Sequence, residues 1–166
     1  MRQIVKNVYT FSELSDEAKE KALQDYQSSG DSYAWSSEAM ESLQAFAKAL
    51  DVIIADYEIE WLNSVPTKGI VTTNDEHALD SEDAQQVIKN GSECKWTGYC
   101  MDADCAAGFE KAWNEGERNA RELFEAGSDS WYKSAFSDAE HQFSLEGYAD
   151  FAESNELEFY EDGSLI

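Results

Sequence analysis

The sequence predicts an α+β protein: a single domain over 1–166, with a small, mainly antiparallel sheet covered by about five helices. Three observations carry this expectation. Residues 53–61 alternate apolar and polar with period two, the mark of a strand. Other stretches repeat apolar residues at helical spacing and are bounded by capping residues. Finally, 166 residues with 42% hydrophobic content, five Trp, eight Tyr and eight Phe supply one core, and are few for two.

In chain order, Ile4, Val5, Val8, Tyr9 and Phe11 read as a first strand. Ser12 or Ser15 caps a helix with an apolar stripe of Ala18, Ala22, Leu23 and Tyr26, and Gly30 ends it. A second helix covers about 33–50 through Met40, Leu43, Phe46, Ala47 and Leu50. In the strand at 53–61, Ile53, Ala55, Tyr57, Ile59 and Trp61 take the core face, which leaves Asp56, Glu58 and Glu60 in a row on the other. Pro66 sits in a turn before a strand at 69–73, and Ser81 caps a short helix ending at Asn90-Gly91. Cys94, Trp96, Gly98 and Cys100 alternate as a further strand. The longest helix runs from about 102 to 126 and stops at Gly127, with Lys111–Glu115, Glu117–Arg121 and Arg118–Glu122 spaced as i, i+4 pairs. A helix with Trp131, Tyr132, Phe136 and Phe143 follows, then a shorter one with Tyr148 and Phe151 closed by Asn155. The chain finishes in a strand at 157–160 and a turn at Glu161-Asp162-Gly163-Ser164.

Charge is the outlying property. The net charge is −23, whereas a magnitude of about 2–8 suffices to keep a small domain soluble. Between Ser134 and Ile166 there is no Lys or Arg, but there are Asp138, Glu140, Glu146, Asp150, Glu153, Glu156, Glu158, Glu161 and Asp162, interleaved with aromatics. Such a surface repels nucleic acid and anionic membranes and attracts basic proteins, many of which bind nucleic acid. An ordinary acidic protein, or one adapted to a salty cytoplasm, has the same composition. Alternate strand residues lie about 6.6 Å apart, and a DNA strand advances about 3.4 Å per nucleotide. The row Asp56, Glu58, Glu60 is thus either an exposed sheet face or a short imitation of phosphates. Crowding of like charges is expected to raise carboxylate pKa values, favouring stability near pH 5 over pH 8 and in added salt.

Catalytic and metal-binding patterns are sparse. His77 and His141 are the only histidines, and neither lies in a nucleophile motif. Cys94, Cys100 and Cys105 lack the tight pair of a structural zinc site, although His77 could complete a set; buried free thiols are the default. The Asp102-x-Asp104 start fails as a calcium loop because Trp113 takes the twelfth position. No phosphate-binding loop and no Lys/Arg cluster for direct nucleic-acid contact is present. With so many acids, no carboxylate pair can be singled out for hydrolysis. The expectation is no enzyme, no cofactor and no metal. No run of 18 apolar residues and no leader is evident, so the chain is expected in the cytoplasm with reduced thiols.

Two stretches resemble the opening and the close of a family of small acidic phage and prophage proteins. They are Val8-Tyr9-Thr10-Phe11-Ser12-Glu13-Leu14-Ser15-Asp16-Glu17-Ala18-Lys19-Glu20-Lys21-Ala22 and Phe151-Ala152-Glu153-Ser154-Asn155-Glu156-Leu157-Glu158-Phe159-Tyr160-Glu161-Asp162-Gly163. The family's Gly- and Trp-rich middle is matched only loosely, around Trp96-Thr97-Gly98-Tyr99. The family carries an antitoxin-like label without established chemistry, and the resemblance implies a viral or mobile-element origin. Combined with the charge, it leads to the expectation of a phage-encoded inhibitor of a host defence complex (anti-CRISPR or anti-restriction). Such an inhibitor would act in the host cytoplasm as a DNA mimic on a basic nucleic-acid-binding surface. The residues expected to make contact are Asp56, Glu58 and Glu60, then Glu140, Glu146, Asp150, Glu153, Glu156, Glu158, Glu161 and Asp162, with Tyr148 or Tyr160 as anchors. The alternative is an antitoxin-like module neutralising a small basic toxin.

Overall fold

Helix-forming sequence dominates what is built. The computed structural model describes residues 7–29, 33–61 and 67–166. Among them are a 3-10 turn at Phe11–Glu13, six helices and a two-stranded antiparallel sheet, so the chain is α+β as expected. The helices are α1 (Asp16–Ser28), α2 (Ser36–Ala49), α3 (Ser81–Ser92), α4 (Met101–Asn114), α5 (Ala120–Gln142) and α6 (Leu145–Ser154). The strands are β1 (Ile53–Glu60) and β2 (Thr67–Thr73). Packing divides the chain into two compact units, one of 33–138 and one of 1–32 with 139–166, the division falling within α5.

In the 33–138 unit, α2, α3, α4 and most of α5 enclose an aromatic core. Phe46 stacks on Trp96 and Phe124 and meets Phe109 edge-on. Trp131 is fully buried, and its indole N–H donates to the Ala39 carbonyl at 2.9 Å. The longest predicted helix is in fact two helices. Gly116 adopts φ +105 after α4, a conformation that favours glycine, and the Glu117 carboxylate then accepts from the Arg118 and Asn119 N–H groups. Gly127 does not stop a helix. It lies inside α5 where a Cβ would come within 2.4 Å of the Phe46 ring, so glycine is there to permit close approach. The helix predicted around Trp131 is a continuation of α5.

The strand expected at 94–100 is a turn. Cys94 has φ 51, and the N–H groups of Trp96 and Thr97, which a ladder would use, donate to the buried Asp102 carboxylate at 3.1 and 2.9 Å. Charge pairing also departs from the i, i+4 expectation. Arg121 reaches Asp75 through Nε and Nη2 at 2.9 and 3.0 Å, and Arg118 lies over the Trp113 ring at 3.8 Å.

The β1–β2 ribbon corrects the predicted core face. Ala55 and Asp56 together oppose Val71, a bulge that reverses the alternation at the strand's start. Ile54, Tyr57 and Ile59 then share a face with Thr72, Ile70 and Lys68, while Ile53 joins the face of Asp56, Glu58 and Glu60. Ile53, Tyr57 and Val71 are more than half exposed.

In the other unit, Phe11, Leu14, Ala18, Ala22, Tyr148, Ala152 and Phe159 form one core. Tyr26 stacks on Phe143, Tyr148 and Phe151. Among the described residues, the predicted first and last strands are present as single bridges: Tyr9 pairs with Phe159, and Phe159 with Leu165. Ile4, Val5, Gly30 and Pro66, on which parts of the sequence reading rested, lie outside the described residues.

Candidate functional site

The unit of 1–32 and 139–166 carries a groove of about 740 Å³. Local sequence explains how it forms. The Ser144 hydroxyl accepts from the Gly147 N–H at 3.0 Å and starts α6. Glu156, at φ 52, turns the chain after the helix, and the Leu157 N–H returns to the Ala152 carbonyl at 2.9 Å. Tyr9 and Phe159 then exchange two backbone bonds of 2.9 Å, which holds the tail beside the Phe11–Glu13 turn. That turn, α6 and residues 156–158 line the groove. Its apolar lining is Phe11, Leu145, Ala149, Ala152 and Leu157; its charged lining is Glu146, Glu153, Glu156 and Glu158 with one cation, Lys19.

The expected contact residues fall into two sets. Asp56, Glu58 and Glu60 occupy one face of the ribbon in the 33–138 unit, opposite Val71, Gly69 and Thr67. Asp56 and Glu58 are exposed; Glu60 is half-buried, and its carbonyl accepts from the Tyr132 hydroxyl at 2.7 Å. Glu140, Glu146, Asp150, Glu153, Glu156, Glu158, Glu161 and Asp162 belong to the other unit and are all exposed. The groove gathers Glu146, Glu153, Glu156 and Glu158; Glu140, Asp150, Glu161 and Asp162 are outside its lining. Of the two anchor candidates, Tyr148 is buried in the core, which withdraws it from a partner, and Tyr160 is half-buried.

The sequence alone does not reveal the groove. Its apolar half was legible as Leu145, Ala149 and Ala152 at i, i+4 and i+7, but an apolar stripe usually signals core. Which part of it stays uncovered depends on where the tail folds back. Leu145 remains 44% exposed.

The perturbed carboxylates do not follow the crowding expectation. Asp75 is held at about 2 by hydrogen bonds from Arg121 and Thr72. Asp162 is held at about 2 by the Ser164 N–H and hydroxyl and by Lys21, whose ammonium is 3.1 Å away. Glu13 is lowered by Thr10, Glu93 by Lys95, and Glu117 by the Asn119 and Arg118 N–H groups. Asp104 moves up, through burial first and the Asp138 charge after it. Hydrogen bonding and burial, more than like-charge repulsion, set these values.

His77 Nε2 lies 2.9 Å from the Leu50 carbonyl. Cys105 is fully buried, and burial drives its thiol well up, away from nucleophilic thiolate. Cys94 and Cys100 are free thiols, and among the described residues no group of three or more His, Cys, Asp or Glu could hold a metal ion. Among the same residues no helix is long and apolar enough to cross a membrane. Comparison with known proteins finds no matching family model, no matching curated protein and no matching solved structure.

Proposed function

We propose that the protein is a phage-encoded inhibitor of a host defence complex, anti-CRISPR or anti-restriction in kind. It acts in the host cytoplasm by binding, without catalysis, as an acidic mimic of DNA on a basic nucleic-acid-binding surface. One observation carries the reading. The eight carboxylates from Glu140 to Asp162 are all exposed, and among the described residues Lys21 with Asp162 is the one ion pair they make. Charge left unpaired at a surface is available to a cationic partner and speeds its encounter. The resemblance of both ends of the chain to small phage proteins supports the same reading, and the ribbon row of Asp56, Glu58 and Glu60 offers a second acidic face.

The test uses the full chain, immobilised and exposed to bacterial lysate at low and high salt. The expected result is salt-sensitive retention of a DNA- or RNA-binding protein that added duplex DNA releases, and loss of that protein's DNA binding in the presence of the chain. Retention only of proteins that do not bind nucleic acid overturns the reading. Reversal of Asp56, Glu58 and Glu60 to Lys separates the two faces: unchanged retention removes the ribbon from the contact.

The groove favours a second reading, an antitoxin-like module that grips one small basic toxin. Co-purification of a single small basic protein, with DNA binding by defence complexes unaffected, distinguishes it.

A further inference from the structure

The groove differs from a plain acidic patch in having a floor built from one helix face. Leu145, Ala149 and Ala152 sit at i, i+4 and i+7 on α6, and Phe11 and Leu157 complete the apolar lining. Seven residues of helix advance about 10 Å. A partner helix that places apolar anchors at i, i+4 and i+7 covers the same length. Leu145 and Ala149 are accessible and Ala152 is buried at the base, and the two small alanine side chains keep the floor low, so that large side chains can enter from outside. The volume of about 740 Å³ is of the size that accepts side-chain anchors.

Charge narrows the occupant. Four carboxylates (Glu146, Glu153, Glu156, Glu158) face one ammonium (Lys19), an excess of three negative charges around an apolar centre. Phosphate of a nucleic acid or of an anionic lipid surface is repelled there. A second copy of this chain is disfavoured as well, since the unit carries fourteen acids against four basic residues. An uncharged apolar ligand would leave the rim unused. We infer that the groove docks an amphipathic helix of the partner protein, its apolar face on the Leu145–Ala149–Ala152 floor and its flanking Lys and Arg side chains on the four carboxylates. This rests on the reading above for the partner being a basic protein, and adds which segment of it is held.

The test titrates three peptides into the full chain by calorimetry at low and high salt. They are a short Leu/Lys helix with leucines at i, i+4 and i+7, a scrambled isomer of the same composition, and a Leu/Glu analogue. The Leu/Lys helix is expected to bind about tenfold tighter than its isomer, with no binding by the Leu/Glu analogue. Leu145→Ser, and Glu146→Lys with Glu153→Lys, should each weaken it about tenfold. These three side chains are exposed, so folding is preserved, and circular dichroism verifies it. Equal binding of the scrambled isomer, or unchanged affinity in Leu145→Ser, overturns the inference, because charge alone then suffices. The DNA-release measurement stands apart: a chain that strips DNA from its partner with both variants equally potent keeps the inhibitor reading and discards the groove.

Discussion

The two units differ in whether any acid is drawn into the core. In the 33–138 unit, acids that leave solvent are matched. Asp102 is fully buried and accepts from two backbone N–H groups and the Thr97 hydroxyl, at 2.8 Å for the last. Asp75 is also buried and takes a two-pronged contact from Arg121 with a third bond from Thr72. In the unit of 1–32 and 139–166, the described acids stay outside, and the core is held by aromatic contacts, stacked at Tyr26 and Tyr148 and edge-on at Phe11. Matched buried acids specify a fold; exposed unmatched ones contribute little to it. On the proposed function, folding and partner binding fall on different carboxylates, and substitutions should separate them.

The largest expected effect is in the matched unit. Trp131→Ala removes a fully buried indole and leaves the Ala39 carbonyl without its donor, at a cost of about 3–5 kcal/mol by urea denaturation. Asp102→Ala comes next. It removes the Oδ2 that the Trp96 and Thr97 N–H groups share and the Oδ1 that the Thr97 hydroxyl uses, leaving buried donors without an acceptor at a cost of about 1–3 kcal/mol. A stability loss below about 0.5 kcal/mol in either variant would break the comparison, because the burial would then specify nothing.

Acid sensitivity sharpens it. The Asp75 carboxyl sits at about 2 in the folded chain, below its ordinary value near 4. A lowered folded-state pKa gives stability that is fully present above the unfolded value and is lost as pH falls through the folded one. Ellipticity should thus hold at neutral pH and fall between about pH 4 and 2. Arg121→Leu removes the main cause of the shift and should move the acid midpoint upward in pH. An unmoved midpoint would assign the acid transition to other groups, Asp162 with its Lys21 and Ser164 partners being the first to examine.

How much was legible in advance follows the same division. Period-two alternation marked β1, a cap at Ser12 or Ser15 marked the start of α1, and Asn155 marked the end of α6, because those signals are local. The bulge at Ala55–Asp56 was invisible, since only pairing with β2 reveals the extra residue, and it moved Ile53 to the outer face. Gly127 resembles a stop in the sequence because a helix-internal glycine looks like a terminator until Phe46 is placed against it. Gly116, the real break, is hidden in the sequence by the helix formers around it. The exposed acids of 140–162 were readable from composition, whereas the gathering of four of them around a groove required the return of the tail at Glu156.

The smallest expected effect on stability is also the one that decides what the outer acids are for. Glu153→Lys and Glu156→Lys place cations among neighbours that carry no ion pair among the described residues, so they relieve repulsion instead of breaking a bond. Surface changes of this kind move stability little, so the melting temperature should rise by about 1–2 °C at low salt, and added salt should erase the gain by screening. Binding of a basic partner should move the other way, weakening in the same variants. That opposition matters because a residue retained for folding cannot improve the fold when it is reversed. A fall in melting temperature on reversal would show that these carboxylates are matched after all, and the contrast between the two units would be lost.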